Sequence, residues 1–429
     1  MRVLLVGATG LIGSSLLAQL QVRGHRIRAV TRRPGTPVDT GQVEWVRIDV
    51  AQATEPGDWA AALDGVDAVV NCVGVLQDSP TDDTHAAHEV GPAALFEACE
   101  RAGVRRVIHF SAIGVDRLTP SDFSRTKLAG DRALMARDLD WVILRPSVVL
   151  GRAAFGASAL IRGLAALPVL PVMPDTAPLQ PVQLDDVAET VLRLLPVDAP
   201  SRVILELAGP QQLEFADIIA RYRRWLGHAL ARPVRLPAWL AAALYRLGDL
   251  AGRLGWRSAL RTTARREIAR GATGDPGPWT QLTGIVPRSL DEALIAEPVS
   301  VQERWFAGLY LLKPIIFVSL VLYWVLSGIA SLWPGYDIGI ALLEQGGIQA
   351  LAGPTVIAGG LADLAVGLGI AVRRTAGPAL IAGIVISLLY AVAGTLVLPG
   401  LWVDPLAPLL KIAPIVALML VALAVLKGR

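Results

Sequence analysis

The chain has 429 residues, room for two or three domains, and its 53% hydrophobic content and mean hydropathy of +0.50 exclude a protein that is soluble throughout. The apolar excess lies in the last third: from Trp305 onward there are six basic and four acidic residues, leaving a nearly balanced 34 basic and 33 acidic in residues 1–304. That balance gives no electrostatic basis for nucleic-acid binding, and two cysteines in apolar surroundings, Cys72 and Cys99, form neither a metal spacing nor a disulfide framework, as suits a reducing cytoplasm.

The first half alternates short apolar runs with amphipathic stretches, the pattern of a parallel sheet with crossover helices. Arg2–Val6 is a predicted strand and Gly13–Arg23 a helix. Glycines at 7, 10 and 13 interrupt this apolar start, so it does not read as a signal peptide. Further strands are predicted at Arg26–Val30, Val43–Asp49, Asp67–Val73, Arg106–Ser111 and Trp141–Arg145, the last ended by Pro146. From Gly151 to about Ser300 proline rises and the pattern loosens. It holds a helix at Leu184–Leu195, a strand at Val203–Leu207 and a helix at Phe215–Leu226. Leu236–Arg270 is amphipathic and rich in Arg, Leu and Trp, and reads as a packed helical hairpin or a helix on the membrane surface. Gly271–Pro287 is a Gly/Pro loop, followed by a linker. Four apolar runs then follow, at about 306–333, 349–372, 376–399 and 405–427, each long enough to cross a bilayer core of about 30 Å.

Basic residues fix the orientation of those runs. Arg304 precedes the first, Arg373 and Arg374 separate the second and third, and Lys427 and Arg429 end the chain. The other connections carry Asp337, Glu344 and Asp404. The expectation is a multi-pass protein of the inner (cytoplasmic) membrane with both termini and residues 1–300 on the cytoplasmic side. Two charges lie within spans, Lys313 and Asp363. Counted from the cytoplasmic side they reach similar depth, which predicts an ion pair between them, because an isolated charge there is costly. Six glycines (359, 360, 367, 369, 377 and 383) favour close helix contacts.

The chemistry begins at Gly7-Ala-Thr9-Gly10-Leu11-Ile12-Gly13. A strand that ends in a tight glycine turn and opens a helix lets backbone approach a pyrophosphate at the helix N-terminus, so a dinucleotide is expected. The second strand ends Val30-Thr31-Arg32-Arg33 with no acid to hold a ribose 2′-hydroxyl. Arg32 is placed to pair with a 2′-phosphate, which favours NADP(H) over NAD(H).

The 7-10-13 glycine spacing resembles the extended and atypical short-chain dehydrogenases/reductases, and the resemblance runs over most of the first 300 residues. Ile48-Asp49-Val50 looks like that family's adenine-contacting pair, and Asn71-Cys-Val73-Gly74 like the strand end beside the adenosine ribose. His109-Phe-Ser111 takes the place of the catalytic-serine strand. Leu144-Arg-Pro146-Ser147-Val148 resembles the loop that meets the nicotinamide carboxamide. Pro181-Val-Gln-Leu-Asp185-Asp186-Val-Ala188 and Leu207-Ala-Gly209-Pro210 are similar to its substrate subdomain. The implied fold is α/β, a Rossmann doubly wound parallel sheet (1–150) with a substrate subdomain and helical linker (151–300), followed by an all-α four-helix transmembrane bundle (301–429). The bundle resembles the DoxX-like family.

That family's chemistry uses a tyrosine four residues before a lysine. Here Phe123 stands at the tyrosine position and Lys127 is retained, with Ser111 as the remaining catalytic candidate and Ser124 adjacent. A phenyl ring cannot transfer a proton, which speaks against ordinary carbonyl reduction. The combination is similar to NmrA-like redox sensors and to the nucleotide-holding accessory subunit of respiratory complex I. Two readings follow: an oxidoreductase passing hydride to a quinone or other lipophilic acceptor, or a non-catalytic dinucleotide holder serving a membrane-protein complex. Membrane lipid is a partner in either. His85 and His88, three apart on a probable helix, lack a third ligand and read as surface residues near the cleft, so no metal is expected.

Overall fold

The computed structural model describes residues 1–32 and 41–426; Arg33, Lys427 and Arg429, used above for cofactor choice and orientation, lie outside the described residues. The chain divides into two units, one of Met1–Asp249 with Ser258–Ala307, the other of Leu250–Arg257 with the chain from Gly308.

The first unit is built on a seven-stranded parallel sheet: β1 (Arg2–Val6), β2 (Arg26–Thr31), β3 (Val43–Arg47), β4 (Ala68–Asn71), β5 (Arg106–Phe110), β6 (Asp140–Pro146) and β7 (Val203–Leu207). The spatial order is β7-β6-β5-β4-β1-β2-β3, so the winding reverses between β1 and β4 and leaves a crevice at their carboxyl ends. Val6 pairs with Val30 on one side and Asn71 on the other, and Asn71 with His109. Helices cover both faces. Val3 and Leu5 share a core with Leu16 and Leu20 of α1 (Leu11–Val22), and Leu4 and Val6 share one with Leu95 and Phe96 of α2 (Gly91–Ala102). This two-sided burial is why the strands read as unbroken apolar runs. Strand β4 stops short of its expected end because Asn71 turns its carboxamide oxygen back onto the Val73 N–H, at 3.1 Å.

Helix α3 (Asp122–Met135) is capped by the Ser121 hydroxyl, and α4 (Leu184–Leu194) and α5 (Phe215–Trp225) follow as expected. The stretch 236–270 is two helices, α6 (Ala238–Arg253) and α7 (Thr262–Arg270), broken at Gly255, where φ is +85°. Asp249 accepts the Thr262 N–H at 3.3 Å and ties the start of the second helix to the first. The Gly/Pro segment after it contains a further short helix, Gly277–Thr283. Its Trp279 is fully buried and donates to Thr190 at 2.9 Å, a tertiary anchor that local composition does not announce.

The second unit is helical. Among the described residues three helices are long and apolar enough to cross a bilayer: α8 (Leu312–Leu332), α9 (Ala352–Ala371) and α10 (Ala376–Val397). A fourth, α11 (Ile412–Leu426), packs with them through Met419 and Ala422 but is shorter, at 15 described residues. Glycine sets the closest crossing: a side chain at Gly328 would meet the Gly360 carbonyl at 2.6 Å, and one at Gly367 the Val325 nitrogen at 2.9 Å.

That register corrects the expected ion pair. Asp363, buried, accepts hydrogen bonds from Ser327 at 2.8 Å and Tyr390 at 3.0 Å, not from Lys313. The first apolar run is broken at Leu311, and the residues before it form a separate helix, Val301–Tyr310. With Ser327 opposite Asp363 and Val325 opposite Gly367, α9 ends at Ala371 opposite about Leu320. Lys313 therefore lies about two helical turns, roughly 10 Å, past that end.

Candidate functional site

The glycine turn joins β1 to α1. Gly7 has φ +81°, which only glycine adopts freely, and a side chain there would press on the Cys72 backbone at 3.0 Å. At Gly13 a Cβ would fall 2.2 Å from the Gly7 carbonyl, so helix and turn touch backbone to backbone. Thr9 lies within the turn. Helix α1 has Gly10 at its N-cap with no side-chain cap, so the first-turn N–H groups of Leu11, Ile12 and Gly13, which have no intrahelical acceptor, stand at the crevice. Across it, a Cβ at Gly74 would meet nothing within 4 Å. Uncapped donors facing an open glycine strand end fit a pyrophosphate-linked ligand.

Around this turn the other expected residues collect at the carboxyl ends of the strands. Asp49 accepts the Ala51 N–H at 3.2 Å and so shapes the turn after β3. The Val50 carbonyl lies where a side chain at Gly91 would come within 2.0 Å. Val73 offers its carbonyl to Lys127 Nζ at 2.7 Å, and Phe110 offers a second at 2.8 Å. Lys127 is thus held at the ends of β4 and β5 through two of its three N–H donors. Burial holds its pKa down to about 8, partly offset by Asp131 and Cys72. Pro146 accepts the Ile113 N–H at 3.1 Å. Ser147 is spent on the Leu207 carbonyl through its N–H and on the Ala272 carbonyl through its hydroxyl, at 2.9 and 2.7 Å. Val148 accepts the Val182 N–H at 3.0 Å.

Beneath Lys127 lies a buried polar network. Asn71 Nδ2 donates to His109 Nδ1 at 3.1 Å, which places the proton of the neutral ring on Nε2, 3.7 Å from Asp131 Oδ1. Ser111 donates to Asp131 at 2.9 Å. Arg145 grips the same carboxylate through Nε (3.1 Å) and Nη2 (2.9 Å) and reaches Asp116 at 2.5 Å. Burial raises the Asp131 pKa, with Arg145, Ser111 and Lys127 opposing; burial, aided by Lys127, drives the His109 pKa well below the ordinary histidine value. Asp131 and Asp116 were not singled out from sequence. Asp131 sits four residues beyond Lys127, on the same face of α3, a spacing that was there to be read.

Phe123 stands one turn before Lys127, its ring edge-on to His88 with centroids 5.6 Å apart. His88 is fully buried, which corrects its reading as a surface residue. Its Nε2 accepts the Val75 N–H at 2.8 Å, so Nδ1 carries the proton and donates to Thr126 at 2.9 Å. It is held inside by a π-helical turn, Ala86–Val90, that leads into α2. His85 remains outside, beside Glu89. Ser124 is buried and donates to Glu267 at 3.0 Å, a partner from α7 that no local pattern reveals. Arg32, at the end of β2, donates to Asp82 at 2.5 Å and to the Thr81 carbonyl at 3.1 Å.

Comparison with known proteins finds a family likeness in each part of the chain. The NAD(P)H-binding family matches residues 7–195 and the DoxX-like family residues 321–420. The chain is 27% identical over 239 residues to a ceramide reductase of Caulobacter vibrioides, covering 55% of this chain and 73% of that one. It is 28% identical over 174 residues to sterol demethylase protein B of Methylococcus capsulatus, covering 35% and 52%. It is 27% identical over 254 residues to the Arabidopsis thaliana NADH dehydrogenase (ubiquinone) 1 alpha subcomplex subunit 9, covering 56% and 61%. The matches therefore span little more than half of the last two relatives. Among solved structures, Bordetella bronchiseptica WbmG in complex with NAD superposes with a TM-score of 0.55 at 18% identity, over 72% of this chain and 95% of that one, a likeness of fold.

Proposed function

From a chain that joins an NAD(P)H-binding domain to a DoxX-like membrane domain, we propose a membrane-anchored oxidoreductase that reduces a lipid-soluble acceptor such as a quinone. The observation that carries this reading is Lys127: it keeps its place at the ends of β4 and β5 while Phe123 removes the family's usual proton donor. Gly7, Gly10, Gly13, Asn71, Val73 and Gly74, with Lys127 and the Pro146–Val148 loop, would hold the dinucleotide, Asp49 and Val50 its adenine. Bound there, it would supply a hydride. Reduction of a quinone to a quinol needs one hydride and one proton. With a pKa near 8 and one N–H unspent, Lys127 is a donor suited to neutral pH, and solvent can reprotonate it. Ser111 has a lesser role here, since its hydroxyl is turned to Asp131. Arg32 supports a preference for NADP(H). The relatives' names, a ceramide reductase and a sterol demethylase protein, support a lipid-soluble partner. Arg304, Arg373 and Arg374 support a cytoplasmic placement of the first unit at the inner membrane.

A second reading, a dinucleotide holder serving a membrane complex, is favoured by Phe123 and by the likeness to the complex I subunit. One experiment separates them. Full-length protein in mild detergent is given NADPH carrying deuterium at the transferable position, together with a short-chain ubiquinone. Deuteride loss with quinol formation supports the enzyme. Nucleotide retained near one per chain without deuteride loss supports the holder, and no nucleotide bound overturns both.

A further inference from the structure

The guanidinium expected to read a 2′-phosphate already holds an anion of the protein's own. Arg32 donates through Nη2 to Asp82 Oδ1 at 2.5 Å and through Nη1 to the Thr81 carbonyl at 3.1 Å. Asp82 is built into place: Ser79 donates to its other oxygen at 3.1 Å, and Ser79 and Asp82 exchange two backbone hydrogen bonds, at 2.8 and 3.2 Å. Its side chain is only 13% exposed and that of Arg32 34%, so the pair is shielded from solvent more than an open surface ion pair. The segment carrying Asp82 leaves the end of β4 just beyond Gly74 and is anchored at its far side. Gln77 donates to Asp249 of α6 at 3.0 Å and accepts the Thr263 N–H of α7 at 3.3 Å. The Asp78 carbonyl accepts from Arg261 at 2.9 Å. Residues 77–82 thus form a strap, fixed to α6 and α7 at one end and latched to Arg32 at the other.

Resting on the reading of Arg32 as a cofactor-selecting residue, we infer that Asp82 is an internal stand-in for a phosphomonoester, and that the 2′-phosphate of NADP(H) displaces it and unlatches the strap. A phosphomonoester carries about −1.5 to −2 charges near neutral pH with three acceptor oxygens, against one charge on a carboxylate, so it wins the shared guanidinium. The 2′-hydroxyl of NAD(H) carries no charge and leaves the Arg32–Asp82 pair closed. Asp82 is therefore a specificity residue that works by competition. It lowers affinity for every 2′-phosphorylated ligand and leaves the others alone, and it makes the state of the strap report which nucleotide is bound.

The test is a set of binding titrations on the full chain in detergent, wild type against Asp82→Asn, with NADPH, NADH, adenosine 2′,5′-bisphosphate and 5′-AMP. Removing the competing charge tightens NADPH and the bisphosphate by roughly tenfold, the worth of one charge-assisted hydrogen bond, and leaves NADH and 5′-AMP within about twofold. Equal tightening of all four ligands, or of none, overturns the proposal. If wild type and variant both bind NADH and 5′-AMP but neither 2′-phosphorylated ligand, the reading of Arg32 falls together with the latch. If wild type prefers NADPH and the substitution changes nothing, only the latch falls. Hydrogen exchange on the wild type guards against a variant that misfolds: amides of residues 77–84 exchange faster with NADPH than with NADH, and equal exchange overturns the unlatching.

Discussion

Ser111 donates its hydroxyl to the buried carboxylate of Asp131 at 2.9 Å, and the same carboxylate is held by two nitrogens of Arg145. A serine expected to face substrate is therefore part of the floor of the site. Asp131→Asn keeps the shape but leaves the buried Arg145 facing a neutral amide, with Asp116 as its remaining carboxylate partner. It should destabilise the first unit by about 3 kcal/mol, whereas Ser111→Ala should cost about 1 kcal/mol. Denaturant unfolding of the full chain, followed by hydrogen exchange at β5 and β6, checks both. Equal small losses would mean that the network is not structural.

Lys127 sets a pH dependence. Burial lowers its pKa to about 8, so the ammonium is present below that pH and lost above it. If Lys127 donates the proton, acceptor reduction falls about tenfold per pH unit above pH 8, while nucleotide binding shows no such step. Lys127→Arg keeps a cation at this position but cannot give up a proton in this range, so acceptor reduction should be largely lost at every pH. Stability follows the opposite sign. The folded pKa lies below the unfolded one, so the first unit gains stability as pH rises from about 8 toward the ordinary lysine value.

Two glycines at the crevice should part company. Gly13→Ala puts a Cβ 2.2 Å from the Gly7 carbonyl, and the turn must open by a visible amount. Lost nucleotide retention with a destabilisation of about 2 kcal/mol is expected. Gly74→Ala meets open space and should melt like the wild type. Any weakening of nucleotide binding in that variant then reports contact with the ligand alone, read by mass spectrometry of the purified protein.

Much of the first unit was legible because each strand carries a run of apolar residues covered on both faces, and because Gly7 and Gly13 permit a tight turn that side chains there would obstruct. Lys127 and Phe123 were legible as a departure from a pattern. What the sequence hid lies in long-range pairs. Glu267 reaches Ser124 and Asp82 reaches Arg32 from segments whose spacing carries no period. His88 was misplaced because a polar residue near a loop reads as surface unless its partners, the Val75 N–H and Thr126, are known. The helix Gly277–Thr283 was lost to its own glycine and proline content, which the burial of Trp279 overrides.

Phe123→Tyr probes whether the pocket still works. The phenol would be added one turn from Lys127, whose depressed pKa marks a site that favours proton exchange near neutrality. If a nicotinamide lies over Lys127, the variant gains NADPH-dependent reduction of a simple aldehyde or ketone by about a hundredfold or more, the lower range of acid–base catalysis. No gain, with nucleotide still bound, would place the reacting carbon elsewhere and favour the holder.

In the membrane unit the prediction turns on which partner satisfies Asp363. Its two oxygens accept from Ser327 of α8 and Tyr390 of α10, so one carboxyl joins three helices. Asp363→Leu removes the acceptor of Ser327 and leaves Tyr390 only the Gly359 carbonyl, at 3.3 Å, and should cost the bundle about 1 kcal/mol, within the range measured for hydrogen bonds between membrane helices. Asp363→Asn retains an oxygen for one donor and should cost less. Lys313→Met should leave this contact intact, because Lys313 lies past the end of α9. Unfolding of the full chain in mixed detergent micelles, compared across the three variants and Tyr390→Phe, reads the order directly. A Lys313→Met loss as large as that of Asp363→Leu would restore the ion pair; additive losses for Asp363→Leu and Tyr390→Phe would break the three-helix contact into independent parts.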